Sequence, residues 1–387
     1  MSTVRGILEQ FLRQFEASYE SLNRIEISRS AFLHNFDLLK NLFKAKHVIP
    51  VLKSNAYGHG FETILKILED RDVPCVAVDG YHEALEVRAI SDVDVLVMAT
   101  VLPENFSKIE TRHTIYVIQD MSVLNVMTNG RRSVRIHLEF DTGMNRQGFD
   151  LLELKDVLQI LKDNPQIELE GVMTHFYDAN QPGRQSIDEQ LRQFDDIVSR
   201  IKKAGFKPQY IHAAKTSGFS RYKSQHLNTI RPGAGLYGIN PFSDTASDWH
   251  KKLSELKPVL SMYSRLVKIR QIEKGTGVGY GHTFTAGRKT KLGILPVGYY
   301  EGINETLGNA GSLRYRSVAV PIVGKICMNH VHLDLTDTKA KLWEEIEVIS
   351  ADPSAPNSLK RWWQDHGLYP YISAVRLSPH IRRRIVD

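Results

Sequence analysis

Lys53 is the residue of this 387-residue chain whose setting most invites chemistry. It stands where the apolar run Val48 to Leu52 gives way to the turn Ser54-Asn55-Ala56-Tyr57-Gly58-His59-Gly60. An amine at the end of a buried strand, flanked by groups that exclude water, is a plausible imine-forming nucleophile. A lysine that lays its stem along the surface is the plain alternative. His175, in Thr174-His175-Phe176, ends another apolar run and reads equally well as a satisfied core residue. In Arg231-Pro232-Gly233-Ala234-Gly235, Gly233 and Ala234 can turn backbone amides toward a phosphate.

In these segments, and in Asp141 to Arg146, His212 to Ser217, Gly277 to Thr283, Leu295 to Gly302 and Gly324 to His330, the chain resembles the alanine racemase family. The likeness runs from about residue 24 to residue 378, in the family's order. It implies that Lys53 carries pyridoxal 5'-phosphate as a Schiff base, with Tyr57, Arg146, His175, Thr216, Arg231, Gly233 and Ala234 around the cofactor. Arg146 would meet the cofactor's phenolic oxygen, which a guanidinium holds without losing its own proton. Many relatives orient this arginine with a carbamylated lysine; Glu139 stands there, so a carboxylate is expected without carbamate on a nearby lysine. Lys215 occupies a position where asparagine is common and Thr216 one where serine is, although a threonine hydroxyl still donates to phosphate. Arg231 would face the pyridine nitrogen without protonating it, which leaves a weaker electron sink and favours racemisation over decarboxylation or transamination.

Inverting a stereocentre needs a proton acceptor on one face and a donor on the other. The resemblance gives the second role to Tyr280, reaching the lysine of a partner subunit in a head-to-tail homodimer. Tyr299 matches an entrance residue, and Met328 offers a backbone amide to the substrate carboxylate, with Arg146 also on the substrate side. Two departures bear on specificity. Asn329 replaces a common aspartate, and Ile372-Ser373-Ala374-Val375-Arg376 lacks a pocket tyrosine, so that Ala374 or Val375 would leave room beyond a methyl group unless Tyr369 or Tyr371 compensates. The expected activity is two-base racemisation of a small amino acid, L-alanine to D-alanine, as in D-alanine biosynthesis. A serine-preferring or broader racemase is the alternative within the class. A decarboxylase of similar plan and a non-catalytic cofactor-binding protein are the alternatives outside it.

The elements that must position these groups read clearly. About eight strand-then-helix units fill residues 24–255, the arithmetic of a (β/α)8 barrel, which gathers its active site at the C-terminal strand ends. Lys53, Arg146 and His175 all fall just past such ends. From residue 256 onward short alternating strands with glycine turns indicate a mostly β domain, with Ser358 to Trp363 its only expected helix. The short strand near 25–27 can belong to either part. Residues 1–23 read as an added amphipathic helix without a signal-peptide pattern.

Composition excludes other classes. A net charge of +6, dispersed except for Arg382-Arg383-Arg384, argues against nucleic acid. No run reaches the roughly 18 apolar residues of a membrane span. Two cysteines without ligand spacing exclude a disulfide scaffold and a zinc site, leaving a cytoplasmic protein as the expectation.

Overall fold

A computed structural model describes residues 19–130, 132–177, 186–213, 216, 224, 226–242 and 248–387. Of the expected N-terminal helix, residues 1–18 lie outside the described residues, as does Lys215. The chain divides into two compact units: residues 27–260 with 370–375 and 385–387, and residues up to 26 with 261–369 and 376–384.

The first unit is the expected α/β barrel. Its eight parallel strands are β2 (His47–Val48), β3 (Val76–Val78), β4 (Val95–Val97), β5 (Thr114–Ile118), β6 (Val134–Glu139), β7 (Ile167–Met173), β8 (Tyr210–His212) and β9 (Thr229–Ile230). Six run side by side in the order β3 to β8, and β2 pairs with β9. A parallel bridge between Val51 and Ala77 joins β2 to β3, and the Asn228 amide donates to the Ile211 carbonyl beside β8, 3.2 Å away. Those two links close the ring. Helices α1 (Arg29–Leu42), α2 (Phe61–Leu68), α3 (Tyr81–Arg88), α4 (Met121–Thr128), α5 (Leu154–Asp163) and α6 (Ser186–Lys203) connect the strands.

Local chemistry explains the elements. Every residue of β3, β4 and β5 is buried, as required of parallel strands covered by helices. Ser28 caps α1 by accepting from the Ala31 amide at 3.0 Å, and the helix buries Phe32, Asn35, Phe36 and Leu39 at helical spacing. The buried Asn35 amide is satisfied by the Leu236 and Lys257 carbonyls at 3.1 and 2.8 Å. Ile49, Val51, Ala77, Leu96, Ile115, Val117 and Met173 form the barrel's apolar interior, on which Tyr57 packs.

The second unit is mostly strand. Its larger sheet has the order β16-β15-β18-β10-β1-β19, from β1 (Asn23–Ser28), β10 (Leu260–Arg265), β15 (Ser312–Tyr315), β16 (Val318–Pro321), β18 (Glu345–Ile349) and β19 (Arg382–Val386). A second sheet joins β11 (Lys268–Ile272), β14 (Thr290–Leu295) and β17 (Val331–Asp334), and β12 (Gly277–Val278) pairs with β13 (Phe284–Thr285). Two details differ from expectation. The alternating stretch 260–272 is two strands rather than one, because Leu266 turns fully inward and its amide bonds the Glu344 carbonyl at 3.0 Å. Besides Leu359–His366, a second helix spans Pro370–Val375 and belongs to the barrel unit. Pro370 at its first position pre-sets helical φ. Among the described residues no helix is long and apolar enough to cross a membrane. Both cysteines are free.

Candidate active site

The turn that carries Lys53 is wound against the usual hand. Ser54, Asn55, Ala56 and Tyr57 all have φ between 51 and 57°, and Gly58 follows at 82°. Left-handed geometry costs a non-glycine residue roughly 1–2 kcal/mol, so the surroundings must hold it. Asn55 contributes by accepting from the Phe61 amide at 3.0 Å. The Pro370–Val375 helix contributes through contact with the turn: a Cβ added to Gly58 would lie 2.0 Å from the Ala374 carbonyl oxygen. Gly58→Ala is therefore expected to destabilise by roughly 1–3 kcal/mol in urea unfolding, whereas Gly80→Ala, whose added methyl meets nothing, leaves the midpoint in place.

Lys53 is less enclosed than its sequence setting implied. Its side chain is 39% exposed, and Nζ lies 3.1 Å from Asp79 Oδ1 at the end of β3. Both loops are tied by Glu83 of α3, whose two carboxylate oxygens accept from the Ser54 and Asp79 amides at 2.6 and 2.8 Å.

An anion cradle stands at the same end of the barrel. Gly233 lacks a side chain where a Cβ would sit 2.5 Å from the Tyr57 hydroxyl, so the phenol reaches the turn. Burial, with Tyr371 nearby, pushes the Tyr57 phenol up to about 12, which keeps it a donor. Its ring stacks on Tyr237 at 5.0 Å, and the Tyr237 hydroxyl donates to the Val51 carbonyl. Thr216 Oγ1 accepts from the Gly235 amide at 3.1 Å, leaving its own proton to give. Among the described residues the Gly233 and Ala234 amides find no protein acceptor. Tyr57, Thr216 and these two amides suit a phosphate, the fit that a phosphorylated cofactor requires.

Arg231 is buried and fixed from behind. It donates to the Thr174 and His212 carbonyls at 3.0 and 3.2 Å and to His212 Nδ1. An arginine only donates, so His212 Nδ1 accepts and its Nε2 carries the proton. That proton points at His137 Nδ1, 2.8 Å away, leaving the His137 Nε2 proton facing Glu170 at 3.9 Å. Burial lowers the Arg231 guanidinium to about 10, with Glu139 opposing, and it stays cationic at neutral pH. Burial, then the Arg231 charge, also pushes His137 down to about 3 and His212 well below its ordinary range.

These two neutral histidines have a consequence for stability. Below about pH 6.5 the unfolded chain binds protons that the folded chain refuses, so the stability they contribute is present above that pH and is lost as pH falls toward 3. The expected loss is up to about 1.4 kcal/mol per pH unit for each histidine, seen as a falling urea midpoint between pH 7 and 5. His137→Gln should flatten that slope.

Some sequence assignments change. Glu139 does not pair with Arg146: its carboxylate accepts from Gln119 Nε2 at 2.6 Å, and Arg146 is exposed with its amide on Asp141. Burial raises the Glu139 carboxyl, and Arg231 opposes that shift more than Arg146 does. Gln119 gave no signal beyond being a polar residue just past β5, and Gln190 of α6, which bonds Thr142 and the His175 carbonyl, gave none. Of the two small residues expected at the pocket wall, Ala374 is fully buried against the Lys53 turn while Val375 is exposed; Tyr371, on the same helix, lies near enough to Tyr57 to raise its phenol.

Tyr280, Tyr299 and Met328 lie in the other unit. Tyr280 is 73% exposed between Gly279 and Gly281, both left-handed. Gly277 has no Cβ because the His282 ring occupies that space. The Tyr299 and Met328 loops interlock, with the Tyr299 amide on the Cys327 carbonyl and the Tyr300 amide on that of Met328. Glu301 clasps them, accepting from the Gly298 amide at 2.7 Å and from Asn329 Nδ2 at 2.8 Å. An asparagine suits that place because an aspartate would set two carboxylates together.

The chain matches the family model for the alanine racemase N-terminal domain over residues 27–241 and that for the alanine racemase C-terminal domain over 259–385. It is 33% identical over 338 residues to an alanine racemase of Sorangium cellulosum, covering 84% of this chain and 87% of that one. An alanine racemase of Bacillus anthracis with bound L-Ala-P has a similar fold, with a TM-score of 0.86, 24% identity, and coverage of 95% of this chain and 96% of that one. So does one from Bartonella henselae with covalently bound pyridoxal phosphate, at a TM-score of 0.80, 21% identity, and coverage of 95% and 100%.

Proposed function

Because the chain belongs to the alanine racemase family, we propose that it interconverts L- and D-alanine with pyridoxal 5'-phosphate as cofactor. The observation that carries this reading is the convergence, at one end of the barrel, of Lys53 and the anion cradle of Tyr57, Thr216, Gly233 and Ala234. When bound, the cofactor supplies an aldehyde that condenses with an amine and a conjugated ring that draws negative charge from Cα.

The chain's own groups do the rest. Tyr57, Thr216 and the Gly233 and Ala234 amides hold the phosphate. Arg231, kept a cation and aimed by His212 and Thr174, would meet the ring nitrogen without giving up its proton. Arg146 would hold the phenolic oxygen, and His175 would support the ring. Lys53 takes the Cα proton of the D-enantiomer, and Tyr280 of a second copy takes that of the L-enantiomer from the opposite face. Tyr299 guards the entrance, and the Met328 amide meets the substrate carboxylate. The exposure of Tyr280 supports a role completed by another subunit, hence a head-to-tail homodimer. The setting would be cytoplasmic, with D-alanine supply as the purpose.

The test is a chiral assay of the purified, cofactor-loaded protein on L-alanine, L-serine and L-lysine. Alanine should turn over fastest, and alanine as the poorest of the three would overturn the substrate assignment.

A further inference from the structure

Asp79 is not among the groups assigned above, yet its carboxylate is within hydrogen-bonding distance of the reacting amine. Asp79 Oδ1 lies 3.1 Å from Lys53 Nζ, and the contact is built rather than incidental. Glu83 bridges the two loops, one oxygen on the Ser54 amide at 2.6 Å and the other on the Asp79 amide at 2.8 Å. The strained left-handed turn fixes where Lys53 starts, and Glu83 fixes where Asp79 ends.

We propose that Asp79 is the counter-ion of the free Lys53 amine, with Glu83 as the residue that positions both. The inference rests on the reading of Lys53 as a base. When Lys53 takes a proton, the Cα–H bond breaks, its electron pair stays on Cα, and an N–H bond forms on Nζ. Positive charge then appears on Nζ, and a carboxylate at 3.1 Å stabilises it. The same carboxylate keeps the amine pointing at β3 while it is free. Asp79 thus favours proton capture from the D-enantiomer and slows attack by the amine on an aldehyde.

The second effect gives a readout independent of turnover. Cofactor-free protein is mixed at pH 7.5 with pyridoxal 5'-phosphate or, separately, with pyridoxal, which lacks the phosphate. The adduct is reduced with borohydride at intervals and mapped to Lys53 by peptide mass. Asp79→Asn should raise the trapping rate about two- to fivefold with both aldehydes, the range of an exposed ion pair, and Asp79→Glu should stay near the parent rate. A structural role alone would lower the rate. An unchanged or slower rate in Asp79→Asn, or a rise confined to the phosphorylated aldehyde, would overturn the counter-ion role while leaving Lys53 in place. No adduct on Lys53 in the parent protein would instead overturn the reading of Lys53, and this inference with it.

Discussion

Lys53→Ala is expected to lower alanine inversion in both directions by at least about a thousandfold. The size follows from the two jobs proposed for the lysine, as the amine that condenses with the cofactor and as the base for one enantiomer. The cradle of Tyr57, Thr216, Gly233 and Ala234 is untouched by the change, so cofactor should still bind without a covalent link. Absorbance before and after dialysis, beside a chiral assay of alanine, measures both expectations. Adding a small primary amine should restore part of the activity, because it replaces the missing nitrogen but not its aim. Retained inversion in the variant would remove Lys53 from the chemistry.

Tyr280→Phe is the second large effect, and its signature is asymmetry. Losing a positioned acid–base group costs about 10²–10⁴ in rate. Inversion should fall by that factor in both directions, since the overall reaction crosses both bases. Exchange of the Cα hydrogen should not fall equally. With D-alanine in heavy water, Lys53 still removes the proton and returns a deuteron, so D-alanine gains label without inverting. L-Alanine, which needs the missing hydroxyl, should stay unlabelled. Proton NMR of the Cα signal reads both, and equal loss of exchange for the two enantiomers would sink the assignment. Phenylalanine is a mild change at this position because the ring is solvent-exposed.

The barrel was legible in the sequence because its signals are local and repeated. The run Thr114 to Ile118 is dense in β-branched residues, and Ser28 stands directly before the helix that it caps. The groups proposed for chemical roles stand out in the sequence for a related reason: most of them sit just beyond a strand, where polar residues are conspicuous. Long-range pairing was not legible. Nothing in the sequence couples Glu139 to Gln119 rather than to Arg146, or strings Arg231, His212 and His137 into one relay, since each link joins separate strands. The handedness of Ser54 to Tyr57 was equally hidden, because only Asn55 and Gly58 favour positive φ and the rest is imposed by packing. The C-terminal wall was hidden because Pro370 starts a helix, which buries Ala374 and leaves Tyr371 and Val375 exposed.

The central claim is inversion by two bases on opposite faces of Cα. Its most direct test is turnover of enantiopure L-alanine and of enantiopure D-alanine by the unsubstituted, cofactor-loaded protein in heavy water, sampled early. The product enantiomer should carry solvent deuterium at Cα, while the remaining substrate is still largely protonated. A product that keeps the substrate's own hydrogen, or exchange without inversion, would contradict the account.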